Sequence, residues 1–311
     1  MGKAIREVYG EALAKYGKDD ERIVALDADL SGSTKSAIFG KACPERFLNV
    51  GIAESNMVGM AAGLASGGKI PFVNTFTVFL TTLGLCAARA FGSYSQLPIK
   101  FAGAYGGMSD AFDGPSHHAL EDIAVMRSLA NMQVFVPCDA VQTEWLVKYA
   151  IDTPKPIYLR LSRDKFKDLY TSETEFAPGK GIVVREGTDI TVIACGLMVG
   201  NAIDAAEELA KEGISVRVVD MFSIKPIDEA LIVRCAEETG AIVSAEEHNI
   251  YGGLGSAVAE VLTKHGCGVT QGFVGVNDCH GECGPYKKLL AKYGLDANAI
   301  ANKVRETLAK K

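Results

Sequence analysis

The stretch NVGIAESNMVGMAAGLASGG, residues 49–68, decides the fold assignment. Glu54 stands at the entrance to a run that is otherwise uncharged and rich in glycine and alanine. Because glycines at 59 and 63 lower helix propensity, we expect the small residues to serve close packing in a buried helix. A carboxylate at the start of a buried helix is costly unless it is paired or takes part in proton chemistry. Glu54 is therefore a candidate functional residue.

The composition excludes several classes of partner. The chain has 311 residues, a net charge of −6 and no basic cluster, which argues against nucleic acid or an anionic membrane as the main partner. Residues 1–17 have the mixed charges of an amphipathic helix and do not resemble a secretory signal. No run approaches the ~20 apolar residues of a membrane span. We expect a cytoplasmic protein.

The cysteines give no sign of a metal site. Eight are scattered along the chain, as is typical of reduced thiols in the cytosol. Cys279, His280 and Cys283 form the one cluster, and it offers only three candidate ligands without a C-x-x-C pair. The sequence therefore predicts no metal bound by this chain alone.

Short β-branched runs alternate with helical patterns, which predicts α/β architecture with parallel sheets. Two domains are expected, at residues 1–170 and 189–311, with a polar linker at 171–188. The predicted strands lie near 22–29, 70–76, 99–105, 132–139, 190–196, 215–221, 241–248 and 269–276. In the second half, helices are predicted near 198–212, 227–239, 253–265 and 285–308. Ligands of such sheets bind beyond the carboxyl ends of the strands, so chemistry is expected after Asp27, Thr75, Ala104 and Pro137.

A second unusual stretch is the loop AYGGMSDAFDGPSHHALEDIAVMR, residues 104–127. It is rich in glycine, holds adjacent histidines and leads into a helix whose start is marked by Ser116 and the acidic pair Glu121 and Asp122. Asp113 and His117 are then expected near a helix N-terminus, where an anionic oxygen can bind. Taken alone, the loop could equally be a surface turn with solvated histidines.

Several motifs in order resemble the pyrimidine-binding domain of transketolase, a thiamine diphosphate enzyme. They are RFLNVGIAESNMVGMAAGLASGG, PFVNTFTVFL, DGPSHHALEDIAVMRSLANMQVFVPCD and LRLSR. The second half, which includes GECGPYKKLLAKYGL, resembles the C-terminal domain of that family. The resemblance spans essentially the whole chain. It implies transfer of a two-carbon ketol unit from a phosphorylated, or alternatively a sulfonated, ketose to an aldose.

One part of the family pattern is missing. Such enzymes hold the diphosphate through Mg²⁺ with a G-D-G motif, and this sequence contains no G-D-G. The resemblance therefore implies the C-terminal half of a split transketolase. A partner chain with the G-D-G motif would hold Mg²⁺ and the diphosphate, in an α2β2 assembly.

The resemblance also implies roles for individual residues. Glu54 matches the glutamate that hydrogen-bonds the pyrimidine ring and favours its active tautomer. Phe76 and Phe79 match the aromatic wall that stacks on this ring, and Asp113 matches the residue that contacts a donor hydroxyl. His117 matches a histidine that contacts the sugar at the reacting carbon, where an imidazole could shuttle a proton.

Other matches concern the cofactor surroundings and the terminal anion of the sugar. Asp29 matches an aspartate near the cofactor. Arg6, Ser33 and Arg163 match anion-binding residues, and a guanidinium suits this task because it engages two oxygens at once. Tyr105 occupies the place of a histidine that helps to bind the sugar phosphate.

Three further positions depart from the family pattern. Phe112 replaces an acidic residue, His118 a glutamine and Thr82 a tyrosine. Together with the loss of a cationic phosphate partner at position 105, these changes favour an unusual donor. A sulfonated or an unphosphorylated ketose would fit.

Alternative functions remain open at this point. The β subunit of a 2-oxoacid dehydrogenase first component shares the pyrimidine domain, and a 1-deoxyxylulose-phosphate synthase shares part of the loop pattern. A non-catalytic scaffold subunit is the alternative from another class. The second domain offers no residue with an evident role in chemistry, because the glycine-rich helix start after His248 is more typical of a structural turn. Dimer packing is its expected role.

Overall fold

The computed structural model describes residues 2–311 and has two α/β domains, which confirms the predicted fold class. The first sheet has seven strands, and the second has five. Within residues 2–311, no helix is both long and apolar enough to cross a membrane.

The elements of the first half alternate as predicted. The strands are β1 (Ile23–Asp27), β2 (Phe47–Asn49), β3 (Ile70–Phe76), β4 (Lys100–Ala104), β5 (Gln133–Phe135) and β6 (Ile157–Leu161). The helices are α1 (Ile5–Asp19), α2 (Ser31–Thr34), α3 (Ser36–Ala42), α4 (Glu54–Ser66), α5 (Thr77–Thr82), α6 (Leu85–Ala87), α7 (Asp122–Ser128) and α8 (Ala140–Asp152). A 3₁₀ turn at Pro44–Arg46 and a π-helical segment at Ala88–Tyr94 complete this half.

The second half repeats the alternation around its own sheet. Its strands are β7 (Ile182–Arg185), β8 (Ile190–Ala194), β9 (Val216–Asp220), β10 (Ser223–Lys225), β11 (Ala241–Asn249) and β12 (Thr270–Val276). Its helices are α9 (Leu197–Ala210), α10 (Glu229–Thr239), α11 (Leu254–Lys264), α12 (Tyr286–Lys292) and α13 (Ala297–Leu308). The strand order is β10-β5-β6-β4-β3-β1-β2 in the first sheet and β12-β11-β8-β9-β7 in the second.

The central strands of the first sheet are buried along their whole length. This holds for β1, β3, β4 and β6, all of which run parallel. Helices cover both faces, which explains why these strands are mostly apolar and do not alternate between apolar and polar residues. Their carboxyl ends meet at one edge of the sheet, and the loops that carry the predicted site residues begin there.

The two domains are interlocked. Strand β10 follows the second sheet's β9 in sequence, but it pairs antiparallel with β5 of the first sheet. One apolar core includes residues from both domains, such as Val58 and Leu254. Strand β7 lies within the predicted linker and forms the antiparallel edge of the second sheet. Neither β7 nor β10 was predicted, because runs of four and three residues give no clear period.

The prediction that the helix after Glu54 is buried was wrong for one of its faces. Met57, Val58 and Ala61 are buried, whereas a Cβ added at Gly59 or Gly63 would meet nothing within 4 Å. In this chain the small residues on the second face therefore leave a surface that another chain could approach closely.

Two other helix boundaries differ from the prediction. The helix expected at 285–308 is two helices, α12 and α13, because Gly294 between them adopts a left-handed conformation with φ of +69°. Of the expected start markers Ser116, Glu121 and Asp122, the structure uses Asp122 as the first helical residue, so Asp113 and His117 lie in the preceding loop.

Candidate active site

Glu54 is the first residue of α4 and is 3% exposed. The hydroxyl of Thr75, near the end of β3, donates a hydrogen bond of 3.3 Å to its Oε1. Within residues 2–311 no other group donates a hydrogen bond to this carboxylate. Buried carboxylates normally accept several hydrogen bonds, and this one accepts a single bond at Oε1. Its second oxygen, Oε2, is therefore available to a ligand.

An aromatic group lies next to Glu54 in the fold. Phe76 ends β3 and Phe79 follows one turn later in α5, and their rings stack with centroids 5.9 Å apart and an angle of 20°. The His117 ring meets Phe79 edge-on at 5.3 Å. These three predicted residues therefore come together from separate segments, and they form an apolar wall with one imidazole on it.

The predicted anion-binding residues also meet, and Tyr105 lies between them. The guanidinium carbons of Arg6 and Arg163 are 5.0 Å and 5.3 Å from the Tyr105 ring centre. Arg6 donates from Nη1 to the Ser33 carbonyl at 2.8 Å and to the Tyr105 hydroxyl. The Tyr105 ring is 4.2 Å from that of Phe76, so the arginine group and the aromatic wall form one continuous site.

Asp110 belongs to this site but was missed in the sequence. Its side chain is fully buried and accepts a 2.8 Å hydrogen bond from Arg163 Nη1 at Oδ1, while Oδ2 is buried without a partner. Burial and the nearby Asp113 carboxylate raise the pKa of Asp110 to about 6. A charged residue inside a glycine-rich loop was the available signal.

Asp113 and His117 lie on the same loop. Asp113 is exposed, and His117 is half-buried with Nδ1 2.9 Å from the Ser116 hydroxyl. The following helix, α7, begins at Asp122, whose carboxylate pairs with Arg160, and the anion site expected near a helix start stays a prediction. His117 lies against the phenyl wall, and Asp113 lies beside Asp110.

Asp29 stands apart from these groups. It follows β1 with φ of +65° and is exposed, and its carboxylate accepts a 2.8 Å hydrogen bond from Asn49. The buried Asp27 has the clearer structural role, since it accepts hydrogen bonds from the Thr34 and Ser36 hydroxyls, both at 2.7 Å. Burial raises the pKa of Asp27. Asp27 thereby folds the segment that presents Ser33.

The second domain supports the site loop from behind. Glu247 on β11 accepts a 2.7 Å hydrogen bond from the Met108 backbone N–H and a 3.0 Å one from the Tyr286 hydroxyl. The Gly284 N–H donates to the Ala111 carbonyl at 2.9 Å. Burial raises the pKa of Glu247 to about 7. Sequence analysis gave these residues no part in the site.

A buried ion pair joins the two domains below this loop. Arg160 Nε donates to Asp122 Oδ2 at 2.7 Å, and Arg160 Nη2 donates to the Glu247 carbonyl at 2.9 Å. Burial by itself disfavours the Asp122 carboxylate, but the Arg160 charge and hydrogen bonds hold the pKa of Asp122 below its usual value. The pair fixes the base of the loop to both sheets.

The remaining candidates in the second domain are structural. The Glu246 carboxylate accepts hydrogen bonds from the Leu254 and Gly255 N–H groups at 2.7 Å and 2.8 Å, so the helix start after His248 is already capped. Cys279 and Cys283 are exposed free thiols. Among the described residues, no group of three or more histidine, cysteine or acidic side chains is arranged to hold a metal ion.

The fold and site together define a chain of the transketolase type, and sequence comparisons establish the family. Residues 1–168 match the family described as transketolase, pyrimidine binding domain, and residues 179–300 match transketolase, C-terminal domain. The chain therefore belongs to the transketolase family.

Within the family, the chain corresponds to the C-terminal section, as predicted from its motifs. It is 42% identical to the putative transketolase C-terminal section of Methanocaldococcus jannaschii, covering 99% of this chain and 97% of that protein. It is 39% identical to the 6-deoxy-6-sulfo-D-fructose transketolase subunit SqwH of Clostridium sp., over 99% and 95% of the two chains. A solved split gene transketolase, in an inactive beta4 tetramer, superposes with a TM-score of 0.91 at 48% identity over 99% of each chain.

Proposed function

We propose that this chain is the C-terminal subunit of a two-chain transketolase, which moves a two-carbon ketol unit from a ketose to an aldose with thiamine diphosphate and Mg²⁺. One observation carries the proposal. Glu54, the Phe76–Phe79 pair and His117 meet beyond the carboxyl ends of the first sheet, next to two arginines. This is half of a site for a ring cofactor and an anionic sugar.

The residues present fit the pyrimidine end of the cofactor. Glu54 is buried with one hydrogen-bond donor, so it has capacity to hydrogen-bond a ring nitrogen, and Phe76 and Phe79 offer an apolar surface for the ring. When bound, the cofactor supplies the stabilisation of the carbanion. The Mg²⁺ and the diphosphate are assigned to the partner chain, because this sequence lacks G-D-G.

The side chains then have distinct tasks. Glu54 holds and shares a proton with the ring, and Thr75 orients its carboxylate from Oε1. His117, fixed between Ser116 and the phenyl rings, donates or accepts a proton at a substrate oxygen. Asp113, exposed on the same loop, hydrogen-bonds a donor hydroxyl. Asp29, the remaining predicted cofactor residue, would act only after the partner chain has covered the end of β1.

An exposed apolar face supports the need for a partner. Ile52, two residues before Glu54, is 84% exposed, and Tyr94 is also 84% exposed. Met60, Leu83 and Phe91 add to this face, on α4 and the neighbouring helical segments. Exposed apolar surface of this kind marks protein interfaces, and the glycines of α4 permit a close approach. We assign the face to the diphosphate-binding subunit of an α2β2 assembly.

The proposal also concerns the terminal group of the donor sugar, which need not be a phosphate. Tyr105, a neutral side chain, occupies the space between Arg6 and Arg163 where the family pattern has a histidine. A sulfonated or an unphosphorylated ketose is therefore the proposed donor. Comparison of kcat/KM for matched phosphate and sulfonate donors tests this, and a strong preference for phosphate would contradict it.

Affinity purification of the tagged protein from its native cells tests the assembly. We expect a stoichiometric companion that carries G-D-G, identified by mass spectrometry, and bound thiamine diphosphate in a thiochrome assay. A lone chain that stays without cofactor after addition of thiamine diphosphate and Mg²⁺ would favour the scaffold alternative.

A further inference from the structure

The Asp110 carboxylate has an unusual position in the site loop. It is fully buried and pairs through Oδ1 with the partly exposed Arg163. Its other oxygen, Oδ2, receives no hydrogen bond. Buried polar atoms are rarely left unpaired, and those that are often mark a functional position. The family resemblance assigns no role to this residue.

We propose that Asp110 is a specificity-determining residue, which sets how much positive charge Arg163 presents to the terminal group of the substrate. The inference rests on the proposed function only in placing a sugar's terminal group beside Arg163. The charge balance itself follows from the contacts within this chain.

The cationic groups of the site are already partly engaged. Arg6 donates from Nη1 to Ser33 and Tyr105, and Arg163 donates from Nη1 to Asp110. The Asp110 carboxylate pairs with Arg163, and the Asp113 carboxylate lies beside Asp110, so the formal charges of the two guanidinium groups and the two carboxylates cancel. Arg163 remains 40% exposed and can still donate to a ligand.

A nearly neutral site discriminates between terminal groups by charge. A phosphate dianion gains attraction from the arginines but is repelled by the carboxylate that pairs with Arg163. A sulfonate monoanion or a neutral hydroxyl suffers less from this repulsion and keeps the hydrogen bonds. Asp110 thus lowers the affinity of the site for doubly charged terminal groups, which two arginines would otherwise bind well.

Titration of Asp110 offers an internal test. The charged groups that face it are Arg163, Asp113 and His117, and its pKa of about 6 means that acid neutralises it within an accessible range. Once Asp110 is protonated, Arg163 no longer faces an opposing charge. Anion binding at this site should therefore strengthen as pH falls from 8 to 5.5.

Inorganic sulfate is the probe, because it stays a dianion over that range and needs no enzymatic activity. Calorimetric titration at pH 8 should show roughly tenfold tighter binding to Asp110→Asn than to the unmodified protein, a change of about 1.4 kcal/mol. At pH 5.5 the two proteins should differ less than about threefold. His117 is present in both proteins, so it does not create this difference.

Two further variants keep the test decisive. Asp164→Asn removes the same charge one residue from Arg163 and should change sulfate affinity less than about twofold. Arg163→Gln removes the cation but keeps a side-chain N–H that can donate to Asp110, and it should abolish the pH-dependent gain in sulfate binding. Equal sulfate affinity of Asp110→Asn and the unmodified protein at pH 8 would overturn the inference, as would an equal gain in Asp164→Asn.

Donor kinetics in the complete enzyme separate this inference from the proposed function. Asp110→Asn should raise the phosphate-to-sulfonate ratio of kcat/KM roughly tenfold. If sulfate binding responds as expected but the enzyme shows no ketol transfer with any donor, the proposed function fails while the charge role of Asp110 stands. If ketol transfer occurs and the ratio is unchanged, Asp110 does not determine specificity.

Discussion

The two domains contribute to one site in different ways. The first domain presents the groups that would touch cofactor and sugar, namely Glu54, Phe76 and His117. The second domain supplies Glu247, which holds the site loop by accepting a hydrogen bond from the Met108 backbone N–H. Tyr286, also of the second domain, donates a hydrogen bond to Glu247 from behind the loop. Contacts that are distant in sequence therefore position the site loop, while local turns at the strand ends place the reactive groups of the first domain. Substitutions in the two regions should therefore change different observables.

The largest effect is expected at Glu54, the group proposed to contact the cofactor. Glu54→Ala in the assembled enzyme should lower kcat by about 10²–10⁴-fold, because a positioned acid–base group is removed. Thermal unfolding should change little, since only the Thr75 hydrogen bond is lost. Thr75→Val is the matched control and should cost far less activity. An active Glu54→Ala enzyme would contradict the comparison.

Breaking the ion pair between the domains should mainly affect stability. Arg160→Met leaves Asp122 buried without its cation, at a cost of about 3–5 kcal/mol in the free energy of unfolding. Denaturant titration measures this loss. The double variant Arg160→Met/Asp122→Leu should recover much of it, and a single-variant cost under about 1 kcal/mol would refute the assignment.

Glu247 should make stability depend on pH. Burial raises its pKa from 4.5 to about 7, so the folded state holds a proton that the unfolded chain has released. Its contribution is complete below pH 4.5 and is lost as pH rises to about 7, with a total of about 3 kcal/mol.

Glu247→Gln should lack this part of the profile. The measurement is the free energy of unfolding between pH 4.5 and 8 for the two proteins. The difference between them should decrease through that window and then stay level. A constant difference at all pH values would show that Glu247 does not titrate there.

The smallest effect is expected at the hydroxyl behind the loop. Tyr286→Phe removes one hydrogen bond to Glu247 and keeps the packing, so it should cost about 1 kcal/mol of stability. kcat should fall only a few-fold, in contrast to Glu54→Ala. A loss of activity as large as that of Glu54→Ala would mean that the Tyr286 hydroxyl takes part in the reaction and does not only support the loop.

The sequence predicted what depends on local pattern. The buried strands β1, β3 and β4 are mostly apolar runs. Glu54, Phe76 and His117 lie within recognisable motifs at or after the ends of β2, β3 and β4. Asp110 and Glu247 were missed because their partners, Arg163 and Met108, lie 53 and 139 residues away along the chain. The exposed face of α4 was misjudged because glycine permits close packing equally well against the chain's own core or another chain.

Reconstitution from separate chains is the direct test of whether a second chain completes the active site. The chain and its G-D-G companion are purified separately, and ketol transfer with thiamine diphosphate and Mg²⁺ is measured for each alone and for the mixture. We expect transfer only in the mixture, and none when the chain carries Glu54→Ala. Transfer by this chain alone, or none by a mixture that forms the complex and binds the cofactor, would contradict it.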